Sequence, residues 1–179
     1  MLVKKHWLKK DLMKKLLKKL FNKFGIEIHR LQPNIDDSSQ VIAAMKKVNI
    51  NVIFDIGANE GQFSSEIRSK GYTGKIISFE PLTSAREILT NEAAKDKNWI
   101  IHDRVAIGNQ KGLVDINISK NSYSSSILPM LKTHLDAAPN SEYIGVEKTA
   151  IITLDSIADS YLDENSNCFL KIDTQGYET

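Results

Sequence analysis

Three short stretches of this chain carry the residues whose types and spacing could do chemistry. Residues 55–61 read Asp-Ile-Gly-Ala-Asn-Glu-Gly, a glycine turn running straight into a helix start. Free backbone N–H groups there favour a carboxylate or a phosphate. Residues 79–81, Phe-Glu-Pro, put the Glu80 carboxylate 25 positions after Asp55, close to the offset of about 20 at which an acid grips ribose hydroxyls. Hydrogen bonds of that charge-assisted kind are worth about 1.5–3 kcal/mol each. Residues 170–178, Leu-Lys-Ile-Asp-Thr-Gln-Gly-Tyr-Glu, place Asp173 at the end of an apolar run, with Gly176 marking a tight turn. Singly, each stretch has a plain structural reading as a turn or a helix cap. In this order they describe a nucleoside cofactor with a short negative tail.

Two cofactor classes compete for that description. Dinucleotide enzymes use G-x-G-x-x-G, whose second glycine admits the pyrophosphate. Here Asn59 holds that position, and Gly57 and Gly61 stand with three residues between them, a spacing better suited to an amino-acid tail. S-adenosylmethionine has such a tail. Its carboxylate would meet the helix N-terminus, its ammonium and sulfonium would meet Asp55, and its ribose would meet Glu80.

These residues need strand ends to position them, and the pattern supplies strands. The apolar run 50–56 is too short for a helix and reads as a strand buried on both faces. Residues 75–79 and 99–102 read as two more, with helices between them. Those helices are announced by capping boxes at Asn59/Gln62 and Ser84/Glu87, and Gly71 closes the first. A further box at Asp37/Gln40 opens a helix through Val41, Ile42 and Met45, so the folded domain is expected over residues 38–179, after a linker at 31–37. The β-α-β-α-β alternation means a parallel sheet with right-handed crossovers. Residues 106–119 then read as a hairpin turning at 110–112. Residues 119–126 form a polar loop, 127–135 a short helix, 150–154 an extended segment, 155–162 a helix and 168–173 a buried strand, with Cys168 as a small core residue.

The electrostatics divide the chain in two. With 24 basic and 22 acidic residues the net charge is +2, but the first 24 residues hold nine lysines against Asp11. The arm is therefore at +8 and the remainder at −6. An acidic body argues against a nucleic-acid-binding globule. Within residues 11–24, seven apolar side chains, among them Leu12, Leu16 and Phe24, recur at helical spacing opposite four lysines. Lysines interrupt every apolar run, so this segment neither spans a bilayer nor forms a signal-peptide core. Residues 1–30 are expected to form a basic amphipathic helical arm. Either residues 2–24 lie on an anionic membrane face with Trp7 as anchor, or the helix packs on the body or on a second subunit. One cysteine excludes a disulfide framework, no Cys/His cluster offers a metal site, and a cytoplasmic setting follows, peripheral to the inner membrane face if the arm binds lipid.

Taken together, residues 52–63 (VIFDIGANEGQF), 79–81 (FEP), 106–112 (AIGNQKG), the serines 124–126, 153–157 (TLDSI) and 170–178 (LKIDTQGYE) resemble the FkbM-type S-adenosylmethionine-dependent methyltransferases over about residues 51–179. The resemblance implies a Rossmann-like class I methyltransferase sheet and O-methylation of sugar or natural-product hydroxyls. Asp55, Gly57, Asn59 and Gly61 match the family's first cofactor loop, Glu80 its ribose-binding acid, and Asp173 and Glu178 its segment beside the acceptor. The family continues beyond that segment with a helix and further strands, so a sheet incomplete at its C-terminus is expected.

Methyl transfer to an alcohol needs in-line alignment and removal of the hydroxyl proton by a base worth about 10²–10⁴-fold. Asp173 is the first candidate base, Glu178 could orient the acceptor, and His134 stands third, on a loop able to fold over the pocket. A glycan or small molecule is the expected acceptor. The alternative is a truncated, non-catalytic domain that acts through membrane or partner binding by its basic helix.

Overall fold

The computed structural model describes residues 37–121, 124–129 and 141–177. The expected arm and most of the linker lie outside the described residues, as do His134, Glu178 and most of the helix expected over 127–135.

The central strand β1, Val52–Ile56, is buried at all five positions, as a central strand covered on both faces should be, and it takes the Asp55 carboxylate inside with its apolar residues. On one side it pairs with β2, Lys75–Phe79, which in turn pairs with β3, Trp99–Ile101; all are parallel. Helices α1, Asp37–Lys47, α2, Gln62–Ser69, and α3, Thr83–Ala93, provide the crossovers and cover. One face packs Ile53, Ile76, Ile67, Leu89, Met45 and Trp99 together. The other gathers Phe54, Ile77 and Phe79 with Leu154, Tyr161 and Leu162 around the short helix α4, Asp155–Ala158. That helix is one turn, not the two expected over 155–162.

The chain also contributes β4, Val105–Ile107, β5, Gly112–Ser119, β6, Tyr143–Ile152, and β7, Cys168–Ile172. β7 returns to the free flank of β1, giving the order β3-β2-β1-β7. Three expectations fail here. β7 is not buried: among the described residues it forms the sheet edge, with Leu170 at 44% and Ile172 at 45% exposure and Cys168 a free, exposed thiol. The expected hairpin of β4 with β5 does not form, because β6 inserts between them, parallel to β4 and antiparallel to β5. This placement buries Ala106, Ile116 and Ile151 against Leu82 and Ala85 at the start of α3. β6 is also ten residues long where five extended residues were expected, since its outer positions Ile144 and Val146 face solvent.

The two capping boxes around the site fail too. α2 starts from Gly61 at φ 92°, without a side-chain cap, and Asn59 sits in the left-handed region at φ 50°. α3 starts from Leu82, and its Thr83 N–H donates to both oxygens of Glu147 on β6, at 3.3 and 3.2 Å, with the Thr83 hydroxyl donating to the same carboxylate. A distant strand therefore does the work expected of Ser84.

Candidate active site

The sheet order reverses between β1 and β7: the chain runs outward through β2 and β3, then crosses back to the other flank. Ligands bind outside the carboxyl ends of strands at such a switch point. A cleft of about 400 Å³ opens there, and Gly57, Asn59, Glu80, Lys171 and Asp173 are among its lining residues. Four of the six candidates that fall within the described residues are thereby brought together.

The first turn is fixed from within. Gly57 and Ala58 both donate to the carbonyl of Phe79 at 3.1 and 3.0 Å, and Asn59 N–H donates to Glu80 Oε2 at 2.8 Å. The N–H groups of residues 57, 58, 59 and 61, expected to be free at this turn, are therefore engaged within the protein. Gly57 has φ 70°, and a Cβ there would stand 2.0 Å from the carbonyl oxygen of Asp173, so the two strand ends touch where a side chain cannot fit. The amide oxygen Oδ1 of Asn59 is buried without a hydrogen-bond partner, an arrangement that costs free energy unless a donor arrives.

Glu80 is 5% exposed. Its second oxygen, Oε1, accepts from Leu82 N–H at 2.8 Å, so each oxygen keeps lone-pair capacity for one more donor. Burial pushes its pKa up to about 7, against the pull of the two backbone N–H groups; the nearby Asp55 charge adds to the rise and Lys171 opposes it.

Asp55 and Gly61 are not among the lining residues. Asp55 is fully buried inside β1, where Oδ2 accepts from Ser64 Oγ at 2.8 Å and Oδ1 faces Lys171 Nζ at 3.0 Å. Its charge is spent inside the protein rather than offered to an ammonium group. Gly61 is buried against Leu89 and Trp99, and a Cβ would meet them at 2.9 and 3.0 Å.

Across the cleft, Asp173 is 53% exposed. Its main-chain N–H donates to Ile56 O at 3.1 Å, and its Oδ1 accepts from Gln175 Nε2 at 2.9 Å. Gln175 lies in the left-handed region at φ 53°, and its carbonyl accepts from Ser126 Oγ at 2.9 Å. Sequence reasoning gave no role to Lys171, Gln175 or Ser64. The available signal for Lys171 was a lone cation inside an otherwise apolar strand run, next to the strand end that carries Asp173.

The family model described as the Methyltransferase FkbM domain matches residues 55–179. The chain belongs to the FkbM methyltransferase family. Its parallel sheet with a switch point beside β1 is the Rossmann-like arrangement that membership implies. No curated protein matches the chain. A solved structure described as "putative caffeoyl-CoA O-methyltransferase from Staphylococcus aureus" is similar at 14% identity and a TM-score of 0.33, covering 57% of this chain; the chain spans half the length of that protein.

Proposed function

We propose that this FkbM-family chain binds S-adenosylmethionine in the cleft at the β1–β7 switch point and methylates a hydroxyl group. The observation that carries the reading is Glu80: a buried carboxylate with each oxygen already holding one backbone N–H, oriented to accept the two vicinal hydroxyls of a ribose. The residues present fit the cofactor. The unpartnered Asn59 Oδ1 needs a donor, which the hydroxyls or the ammonium group would supply. A dinucleotide fits worse, because the N–H groups of residues 57–59 that would cradle a pyrophosphate are already engaged.

When bound, S-adenosylmethionine supplies a methyl group on a positively charged sulfur, open to in-line displacement by oxygen. Asp173 takes the proton of the attacking hydroxyl at one carboxylate oxygen while Gln175 holds Oδ1. Glu178 and His134 remain secondary candidates for orienting the acceptor. Ser125, Ser126 and Gln175 give the cleft a polar wall beside Asp173, which supports a polyhydroxyl acceptor, and a sugar hydroxyl is the preferred assignment. Residues 1–30 would form the basic arm and residues 38–179 the catalytic domain. An arm seated on an anionic cytoplasmic membrane face would suit lipid-linked glycans.

Calorimetric titration with S-adenosylmethionine and with NAD tests the cofactor. S-adenosylmethionine should bind, NAD should not, and Glu80→Ala should weaken the former by roughly tenfold or more; preference for NAD would overturn the reading. Flotation with anionic liposomes tests the arm: binding should be salt-sensitive and lost on deleting residues 1–24.

A further inference from the structure

Lys171 has no place in the proposed chemistry, yet it is the cation at the meeting point of both halves of the cleft. Its Nζ lies 3.0 Å from Asp55 Oδ1, donates to Gly57 O at 2.9 Å, and stands 3.9 Å from Asp173 Oδ2. The side chain is 18% exposed and passes over the ring of Phe63, with Nζ 5.8 Å from the centroid. Its partners belong to two different strand ends. Asp55 and Gly57 come from β1 and the turn after it, while Asp173 follows β7, the strand that carries Lys171 itself.

A buried carboxylate such as Asp55 needs a counter-charge, and leaving it alone is strongly destabilising. That need explains a cation but not its bonds to main chain, in which Nζ donates to Gly57 O and, at 3.5 Å, to Ile56 O. The Gly57 carbonyl belongs to the turn that presses against Asp173 with no room for a Cβ, and a charged donor holds a carbonyl about twice as strongly as a neutral one. These contacts therefore do two jobs: neutralising Asp55, and pinning the turn that forms the cleft's floor.

We infer that Lys171 is a positioning residue that clamps the Gly57 turn into its ligand-binding shape and sets that turn against Asp173, a role separable from its service as counter-ion to Asp55. The inference rests on the cofactor reading above. The charge of Lys171 also opposes the upward shift of Glu80, in keeping with an influence that reaches the far wall.

The test uses the full chain and S-adenosylhomocysteine as probe, with thermal unfolding and calorimetric affinity measured on each variant. Lys171→Met should lower both, since it strands the Asp55 charge and frees the turn. Adding Asp55→Asn removes the stranded charge, so the double variant should regain most of the lost thermal stability while its affinity stays about tenfold or more below that of the unsubstituted chain. Pairing Asp55→Asn with Lys171→Gln restores a neutral donor near Gly57 O and should recover affinity to within about threefold. If Asp55→Asn/Lys171→Met binds as tightly as the unsubstituted chain, Lys171 is a counter-ion and nothing more, and the inference fails. Should Lys171→Met not fold, the two double variants still decide it, because neither contains an unpaired charge: equal affinity in both overturns the clamp. A folded, unsubstituted chain that binds no S-adenosylhomocysteine overturns the cofactor reading and the inference with it, an outcome distinct from binding that ignores residue 171.

Discussion

The two walls of the cleft are built by different means. On the β1–β2 side the site is made of backbone: the N–H groups of residues 57, 58, 59 and 82 are committed to Phe79 O or to Glu80, and Glu80 is 5% exposed. On the β7 side it is made of side chains: Asp173 is 53% exposed, held by Gln175 through Oδ1 and approached by Lys171 at Oδ2. A wall made of satisfied backbone is rigid and suits one invariant ligand. The side-chain wall beyond β7 reaches solvent at Asp173 and is the more adaptable of the two. The contrast separates a side fixed by main-chain hydrogen bonds from a side whose groups are reached by solvent.

The most severe way to break this contrast is to push the walls apart where they touch. Gly57→Ala places a Cβ 2.0 Å from Asp173 O at φ 70°, so both the clash and the left-handed backbone oppose it. Urea unfolding should show a loss of about 3 kcal/mol or more. A loss under about 1 kcal/mol would mean the two strand ends are not packed as described.

Glu80 sharpens the rigid side through pH. Burial lifts its pKa from an ordinary 4.5 to about 7, so between those values the folded protein keeps a proton that the unfolded chain has released. Its contribution to stability is full below pH 4.5 and is lost as pH rises towards 7, by about 3 kcal/mol at most. Glu80→Gln should flatten that slope in unfolding measurements across pH 4.5–7. Ligand binding has the opposite sign, since hydroxyl donors favour the ionised form. S-adenosylhomocysteine affinity should fall by roughly tenfold between pH 8 and pH 6 in the unsubstituted chain and stay level in Glu80→Gln.

Asp173 tests the open side. With an acceptor that supports turnover, Asp173→Asn should cut kcat by about 10²-fold or more while leaving cofactor affinity near that of the unsubstituted chain. Surviving turnover would move the base to Glu178 or His134. The smallest effect belongs to Glu147, which caps α3 from β6 and also pairs with Arg104 Nη1 at 2.6 Å. Glu147→Gln should cost about 1 kcal/mol in thermal unfolding and weaken cofactor binding only slightly, by loosening the residue 81–83 loop.

Residue order alone determined the β-α-β-α-β core, because β1 and β2 are short, mostly apolar runs and the turns after them are marked by glycine and proline. It also named Gly57, Asn59, Glu80 and Asp173 as residues of one site, since strand ends in a parallel sheet must lie on one edge. It did not determine the partners of a strand whose neighbour lies tens of residues away. For that reason β4 and β5 read as a hairpin when β6 separates them; β7, read as a buried strand, lies at the sheet edge among the described residues, in line with the incomplete sheet expected from the resemblance. Local capping signals misled for the same reason: Asn59 turns left-handed to donate its N–H to Glu80, and α3 is capped by Glu147 from across the fold. The role of Asp55 was decided by tertiary structure alone. A carboxylate in a glycine turn is equally consistent with ligand contact and with burial, and only the arrival of Lys171 and Ser64 from other elements stabilises the charge inside the protein, where the chain by itself could not have shown it to lie.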